Sequence, residues 1–292
     1  MQGCWKACRC AQMGSVKFSI VTPSFRQLPW LKRCVRSVAD QGVSVEHILQ
    51  DAGTGPELEA WAGAQPAVRL FVEPDNGMYQ ALNRGLSRAT GDICAWLNCD
   101  EQYLPGTLAR VERAFAENPQ ADFVAGDFLV LDPAAQLLAF RKITPLRRPM
   151  ILTDHLYAFT CAIFFRRSVL GEGMQLDESV KTIADGEWIA RALERGHRFA
   201  YLHEYLSTFT FTGGNQSAQQ AAHAETARAQ QALPLWMRAV APVLRGVRHV
   251  EKLLAGAYRS GPIEYDVYTG EDDTQRTHFR CEQPQFRYPT AG

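Results

Sequence analysis

The run Ile93-Cys-Ala-Trp-Leu97 limits the possible folds of this chain more than any other segment: it is apolar at every position and is closed at once by Asn98-Cys-Asp-Glu101. A strand that is apolar on both faces must be covered on both faces, which is the condition of a central strand in a parallel sheet flanked by helices. Its neighbours fit that setting. Segments 17–22, 45–50, 68–72 and 123–131 read as further strands. The stretches 28–40, 78–89 and 108–116 read as helices, the first carrying Leu31, Val35 and Val38 on one face and the second Met78, Leu82, Gly85 and Leu86. This alternation predicts an α/β fold with a doubly wound sheet.

Past Leu131 the rhythm loosens. Strands are expected at 137–143, 158–165, 199–203 and 206–212, and a helix at 186–195, as a mixed second half packed on the first. An Ala/Gln-rich helical stretch follows at 218–232, then a second at 235–258 interrupted by Pro242, then a polar end with alternation at Ile263, Tyr265 and Val267. The expected organisation is a tail over 1–15, a catalytic α/β domain over 16–216, and a C-terminal helical extension with a polar tail over 217–292.

Composition removes several classes of function. The chain is 46% hydrophobic, and its 31 basic residues balance its 31 acidic ones, so it is neither a disordered chain nor one built around nucleic acid. No apolar run approaches the ~18 residues of a membrane span. Cys34, Cys94, Cys99 and Cys161 sit in core-like segments as small hydrophobes, while Cys4, Cys8 and Cys10 cluster without matching ligands elsewhere. A reducing cytoplasm is the expected compartment. The first twelve residues lack the apolar centre of a secretory signal and read either as a tail or as an upstream-start artefact.

Open parallel sheets bind ligands beyond the carboxyl ends of their strands. The residues there are Thr22-Pro-Ser-Phe25, Asp51-Ala-Gly-Thr-Gly55, Glu73-Pro-Asp-Asn-Gly77 and Asn98-Cys-Asp-Glu101. Acids therefore collect along one sheet edge. Neither a dinucleotide fingerprint nor a P-loop is present, so a nucleotide bound here must be held mainly by carboxylates and a metal. Asp100 and Glu101 offer oxygen ligands of the kind hard divalent cations prefer. The competing reading is a solvated acidic turn.

These four stations, in this order, together with Ala81-Leu-Asn-Arg-Gly85 and Ala89-Thr-Gly-Asp92, resemble the family 2 glycosyltransferases of the GT-A fold, from Phe18 to about Ser217. The resemblance implies that Asp51 contacts the nucleobase in a pocket lined by Thr22 and Pro23. It implies that Asp75 and Arg84 lie beside the nucleotide-sugar, that Asp100 reaches the ribose or the metal, and that Glu101 reaches the metal, Mn2+ or Mg2+. The implied activity is inverting transfer of a sugar from a nucleotide-diphosphate sugar, UDP being the commoner carrier in this family, to a carbohydrate or lipid-linked acceptor. The chain departs from the family pattern with Asn98 and Glu101 where Asp is common, and with Thr160-Cys161 ahead of Phe164-Phe-Arg166 where His-Gln is common. Those departures sustain a rival reading, a non-catalytic nucleotide-sugar-binding or scaffold protein.

Inversion also requires a base at the acceptor hydroxyl. Ala184-Asp-Gly-Glu-Trp-Ile-Ala-Arg-Ala-Leu193 matches the family's base motif, with Asp185 as base and Glu187 as understudy. The alternative is that Asp185 only caps its helix. Thr212-Gly-Gly-Asn-Gln-Ser217 resembles the glycine turn that closes the catalytic domain, or is a plain loop. In 235–259 five basic residues face Glu251 alone, beside an apolar stripe of Val240, Val243, Leu244, Val247, Val250 and Leu254. Two readings compete: peripheral contact with an anionic membrane, and the favoured one, a stripe packed on the catalytic domain.

Overall fold

The computed structural model describes residues 17–212 and 220–287. Cys4, Cys8 and Cys10, the tail expected over 1–15, and residues 213–217 of the glycine turn lie outside them.

The first half is β1 (Phe18–Ser24), α1 (Leu28–Ala39), β2 (Val45–Asp51), α2 (Pro56–Gly63), β3 (Val68–Val72), α3 (Met78–Ser87) and β4 (Ile93–Trp96). The strands run parallel in the order β3-β2-β1-β4. Every residue of β4 is buried, as its unbroken apolarity requires. α1 turns Leu31, Val35 and Val38 inward, as its spacing predicts. α2 is the element periodicity does not reveal: it buries only Leu58 and Ala62, and its signal is Pro56 at the first helical position.

The second half adds β5 (Glu101–Tyr103), α4 (Thr107–Glu117), β6 (Phe123–Leu131), β7 (Leu137–Arg141), α5 (Arg148–Thr153), β8 (Ile163–Arg166), α6 (Ala184–Glu194) and β9 (Phe199–Thr210). The sheet continues β4-β8-β6-β9-β5, with β7 on the side of β6. β8 is antiparallel to both β4 and β6, so the sheet is mixed. Helices cover both faces, as expected of an α/β fold.

Three expectations change here. The segment 158–165 is mostly not strand: a 3-10 turn at Thr160–Ala162 precedes a four-residue β8. The strands expected at 199–203 and 206–212 are one strand, β9, because register shifts around Asp127 take up the extra residues without ending the pairing with β6. The helix over 235–258 is not broken at Pro242, which lies on its exposed side, where water can satisfy the carbonyl that proline leaves without a donor.

Gly85 shows how tightly α3 lies on the sheet. A Cβ there would run into Val21 Cγ1 of β1, which has no exposed surface. Gly85→Ala should therefore cost about 1–3 kcal/mol through overpacking, despite alanine's better helix propensity. Urea unfolding of the two proteins measures it, and an unchanged or higher midpoint would show that α3 can slide off β1.

The C-terminal segment is structured. α7 (Gln220–Ala232) and α8 (Leu235–Leu254) are followed by a hairpin, β10 (Ile263–Val267) and β11 (Thr277–Cys281). Ile263, Tyr265 and Val267 alternate inward onto Leu129, Leu131 and Phe140. Arg276 ties the hairpin to α1 through two contacts of 2.7 Å with Asp40. α8 docks on the body by Met237, Ala241, Leu244 and Arg248, not by the expected stripe. Of that stripe only Leu244 packs inward, and Trp236, Val243 and Leu254 are 66%, 65% and 83% exposed. The physical reason is the Arg248–Asp154 ion pair together with Arg147–Glu251 at 2.7 Å, which rotate the helix so that its polar edge meets the body.

Candidate active site

The strand ends open into a cleft of about 1060 Å³, floored by the loops after β1 and β4 and walled by α5, α6 and α7. Each station places its residues differently.

After β1, Pro23 and Ser24 line the cleft. Thr22 lies beneath it, fully buried, with its hydroxyl 2.8 Å from His47 Nε2. Burial pushes the His47 imidazole down to about 3, so this neutral pair is part of the floor. After β2, Asp51 is folded into its own loop. One oxygen accepts from the backbone N–H of Gly53 at 2.9 Å and of Thr54 at 2.7 Å, and the other accepts from Thr54 Oγ1 at 2.6 Å. That loop needs Gly53, whose φ of 101° side chains rarely adopt. Asp51 has no exposed surface, and its neighbour Ala52 lines the cleft.

After β3, Asp75 lines the cleft and accepts from Gly77 N–H at 2.9 Å. Arg84 supports the same loop from α3, donating to the Pro74 carbonyl at 2.8 Å, and is not among the cleft-lining residues.

After β4, Asn98, Cys99, Asp100 and Glu101 all line the cleft. Glu101 opens the short strand β5, paired with Phe209 of β9. Its carboxylate accepts from the Asn98 backbone N–H at 2.7 Å and from Asn98 Nδ2 at 3.2 Å, so it braces the turn that presents Asp100. Burial, with Asp100 beside it, raises the Glu101 carboxyl above the ordinary range. Asn98 Oδ1 is buried with no hydrogen-bond partner among the described residues.

From the other half, Asp185 and Glu187 reach the same cleft. Ile183 holds the N-cap position of α6, so Asp185 is the second residue of the first turn and not the cap. Its carboxylate accepts from Tyr79 Oη at 3.3 Å. Burial raises the Asp185 carboxyl, and the Gly186 amide and Tyr79 hydroxyl only partly offset it. Burial also raises Glu187, helped by the charge of Asp177. The Trp188 ring points away into an aromatic cluster with Trp96, Phe123 and Phe165, its Nε1 donating to Met174 O at 2.7 Å. That cluster anchors α6.

Two contributions to the cleft had no clear sequence signal. Tyr79 lies two residues past the Glu73–Gly77 station, and its contact with Asp185 crosses 106 positions of sequence. Asp154 and His155 line the cleft from the end of α5, a single short helix announced only by Pro149.

The structure is a mixed α/β sheet with acids gathered at its strand ends, and sequence comparison gives the family. The chain matches the glycosyl transferase family 2 model over residues 19–173 and belongs to that family. It is 30% identical over 181 residues to an uncharacterized glycosyltransferase of Mycobacterium tuberculosis, covering 60% of this chain and 68% of that one. It is 27% identical over 210 residues to a PGL/p-HBAD biosynthesis glycosyltransferase of Mycobacterium bovis, covering 69% of this chain and 80% of that one. Among solved structures, S. aureus TarS 1-349 in complex with UDP-GlcNAc aligns with a TM-score of 0.56 at 14% identity, over 91% of this chain and all of that one. The mannosyltransferase PcManGT of Pyrobaculum calidifontis, in complex with GDP-Man and Mn2+, aligns with a TM-score of 0.53 at 15% identity, over 84% of this chain and 80% of that one. The fold is thus the GT-A glycosyltransferase fold.

Proposed function

We propose that this chain is a metal-dependent, inverting glycosyltransferase that moves a hexosyl or N-acetylhexosaminyl group from a nucleotide-diphosphate sugar, UDP-linked by preference, to an acceptor hydroxyl in cell-surface polysaccharide or glycolipid synthesis. The observation that carries the reading is that Asp100 and Asp185, from opposite halves of the fold, line one cleft, with Asp185 held by Tyr79 and raised in pKa by burial. The sugar nucleotides bound to TarS and PcManGT and the glycolipid pathway named for the mycobacterial relative support the donor and acceptor classes.

In this reading Pro23, Ala52 and Asp75 border the nucleotide, with Asp51 shaping the base loop and Arg84 holding the Asp75 loop. The residues present fit a divalent cation: Asp100 and the unpartnered Asn98 Oδ1 are hard oxygen donors, and Glu101 fixes the turn that carries both. The described residues hold no group of three or more His, Cys, Asp or Glu able to bind a metal alone, so an ion here would be held by Asp100 and Asn98 together with ligands from outside the protein. When bound, the ion neutralises charge on the departing diphosphate. Asp185 takes the acceptor proton on the oxygen not held by Tyr79, from the side of the sugar away from the diphosphate.

The test is turnover of a panel of UDP- and GDP-sugars with and without Mn2+ or Mg2+. Diphosphate release that needs the ion is expected. Sugar-nucleotide binding without release, even with acceptor extracts, would favour the scaffold reading that Asn98 and Glu101 keep open. The same assay carries a pH prediction. Asp185 must be ionised to accept a proton and its carboxyl is raised above the ordinary 3.8, so kcat/KM should fall as pH drops through a value above 3.8. An acid limb at or below 3.8 would contradict the buried-base assignment.

A further inference from the structure

Sugar transfer leaves the outer face of α8 unexplained. At about 100° per residue, Trp236, Val240, Val243, Val247, Val250 and Leu254 fall on one face of the helix. Their exposure runs from 39% at Val240 to 83% at Leu254. Leu235 and Leu253, both exposed, widen the face to an arc of about 140° that holds no charge. Isolated exposed hydrophobes are ordinary, whereas a continuous apolar face five turns long calls for an occupant.

Two occupants compete, because the spacing of four and three residues along 236, 240, 243, 247, 250 and 254 would also suit a helix of a second copy. Three observations favour lipid. The arc is broader than the two-residue seam of a coiled coil. Pro242 sits at its edge and interrupts the hydrogen-bond ladder that a regular supercoil needs. The exposed flank carries charge of one sign, Arg238 and Arg245, while Glu251, the only acid of the helix, is tied to Arg147 of the body. Two copies would bring those arginines together, whereas an anionic headgroup layer complements them.

We infer that α8 is an interfacial helix that seats the protein on an anionic lipid surface, its apolar face in the acyl boundary and its arginines at the headgroups. The inner edge of α8 reaches the cleft wall, since Arg248 pairs with Asp154, which lines the cleft. Docking therefore sets the Asp154 wall of the cleft on the side of the molecule that meets the bilayer. This inference rests on the exposed face and its charges, independently of the transfer chemistry.

The test is flotation of the full chain with phosphatidylcholine vesicles, with or without about 30% phosphatidylglycerol, alongside sedimentation without lipid. Binding is expected to the anionic vesicles and should fall steeply at roughly 0.5 M salt, where surface charge is screened. Val243→Glu with Val250→Glu should reduce the bound fraction at least ~10-fold, with an unchanged melting temperature as the folding control. Arg238→Gln with Arg245→Gln should remove the preference for anionic lipid. Absence of flotation, or a dimer that the valine substitutions convert to monomer without any lipid binding, overturns the inference and gives the face to a second copy. Salt-indifferent binding to neutral vesicles overturns the anionic assignment.

Discussion

Asp185→Asn should lower turnover at least ~100-fold while leaving nucleotide-sugar binding intact, the scale on which loss of a positioned general base is felt. The first half of the sheet commits its strand-end acids to its own loops. Asp51 is enclosed by Gly53 and Thr54, Asp75 holds Gly77, and Glu101 holds Asn98. Asp185 comes from α6, across the cleft, with one oxygen on Tyr79. The asparagine variant keeps shape and can still meet the Tyr79 hydroxyl, so a folding defect is not expected to mimic the catalytic one. The sign of the stability change is also determined. A carboxyl raised in the folded state favours its protonated form there, so its stabilising effect is full below the unfolded pKa and is lost as pH rises through the folded one. At neutral pH the buried charge is a burden, and the variant should melt at the same temperature as the parent or above it. Near-normal kcat would take the role from Asp185 and transfer it to Glu187, whose carboxyl lines the same cleft.

In the proposed metal-dependent transfer, Asp100→Asn should be as damaging to turnover, about 100-fold or more, by a different route, because it removes a ligand for the ion that would stabilise the leaving diphosphate. The two variants separate in binding. Asp185→Asn should retain the melting-temperature rise produced by nucleotide-sugar with Mn2+. Asp100→Asn should lose the ion-dependent part of that rise, since a ligand that binds the folded state tightly at ~100 times its dissociation constant adds about 2.7 kcal/mol. Retained ion-dependent stabilisation in Asp100→Asn would remove Asp100 from the metal site. The substitution is isosteric and Glu101 still braces the turn through Asn98, so collapse of the loop is not the expected cause of any loss.

Local pattern was enough to specify much of this protein. The apolar run in β4, the one-sided helices α1 and α3, and the position of acids after each parallel strand follow from periods of two and 3.6 residues and from the chemistry of strand ends, all of which are written in consecutive residues. The family is legible for the same reason: its stations are short and contiguous, and residues 19–173 carry them. α2, which buries only Leu58 and Ala62, and α5, which is six residues long, are too weakly or too briefly periodic to show such a pattern.

Tertiary structure decided what depends on contacts between distant segments. Only packing sets Tyr79 against Asp185 and pairs Glu101 with Phe209 of β9. It also makes one strand of β9, because the extra residues are taken up against β6. The clearest case is α8. Its sequence holds an apolar stripe and a basic edge, and a single helix can dock by either. Two ion pairs, Arg248 with Asp154 and Arg147 with Glu251, together with the small contacts of Met237, Ala241 and Leu244, select the orientation that leaves the stripe facing outward. Hydrophobic spacing along a helix specifies that one face is apolar, but which neighbour meets that face depends on partners more than ninety residues away in the chain, and no local rule encodes them.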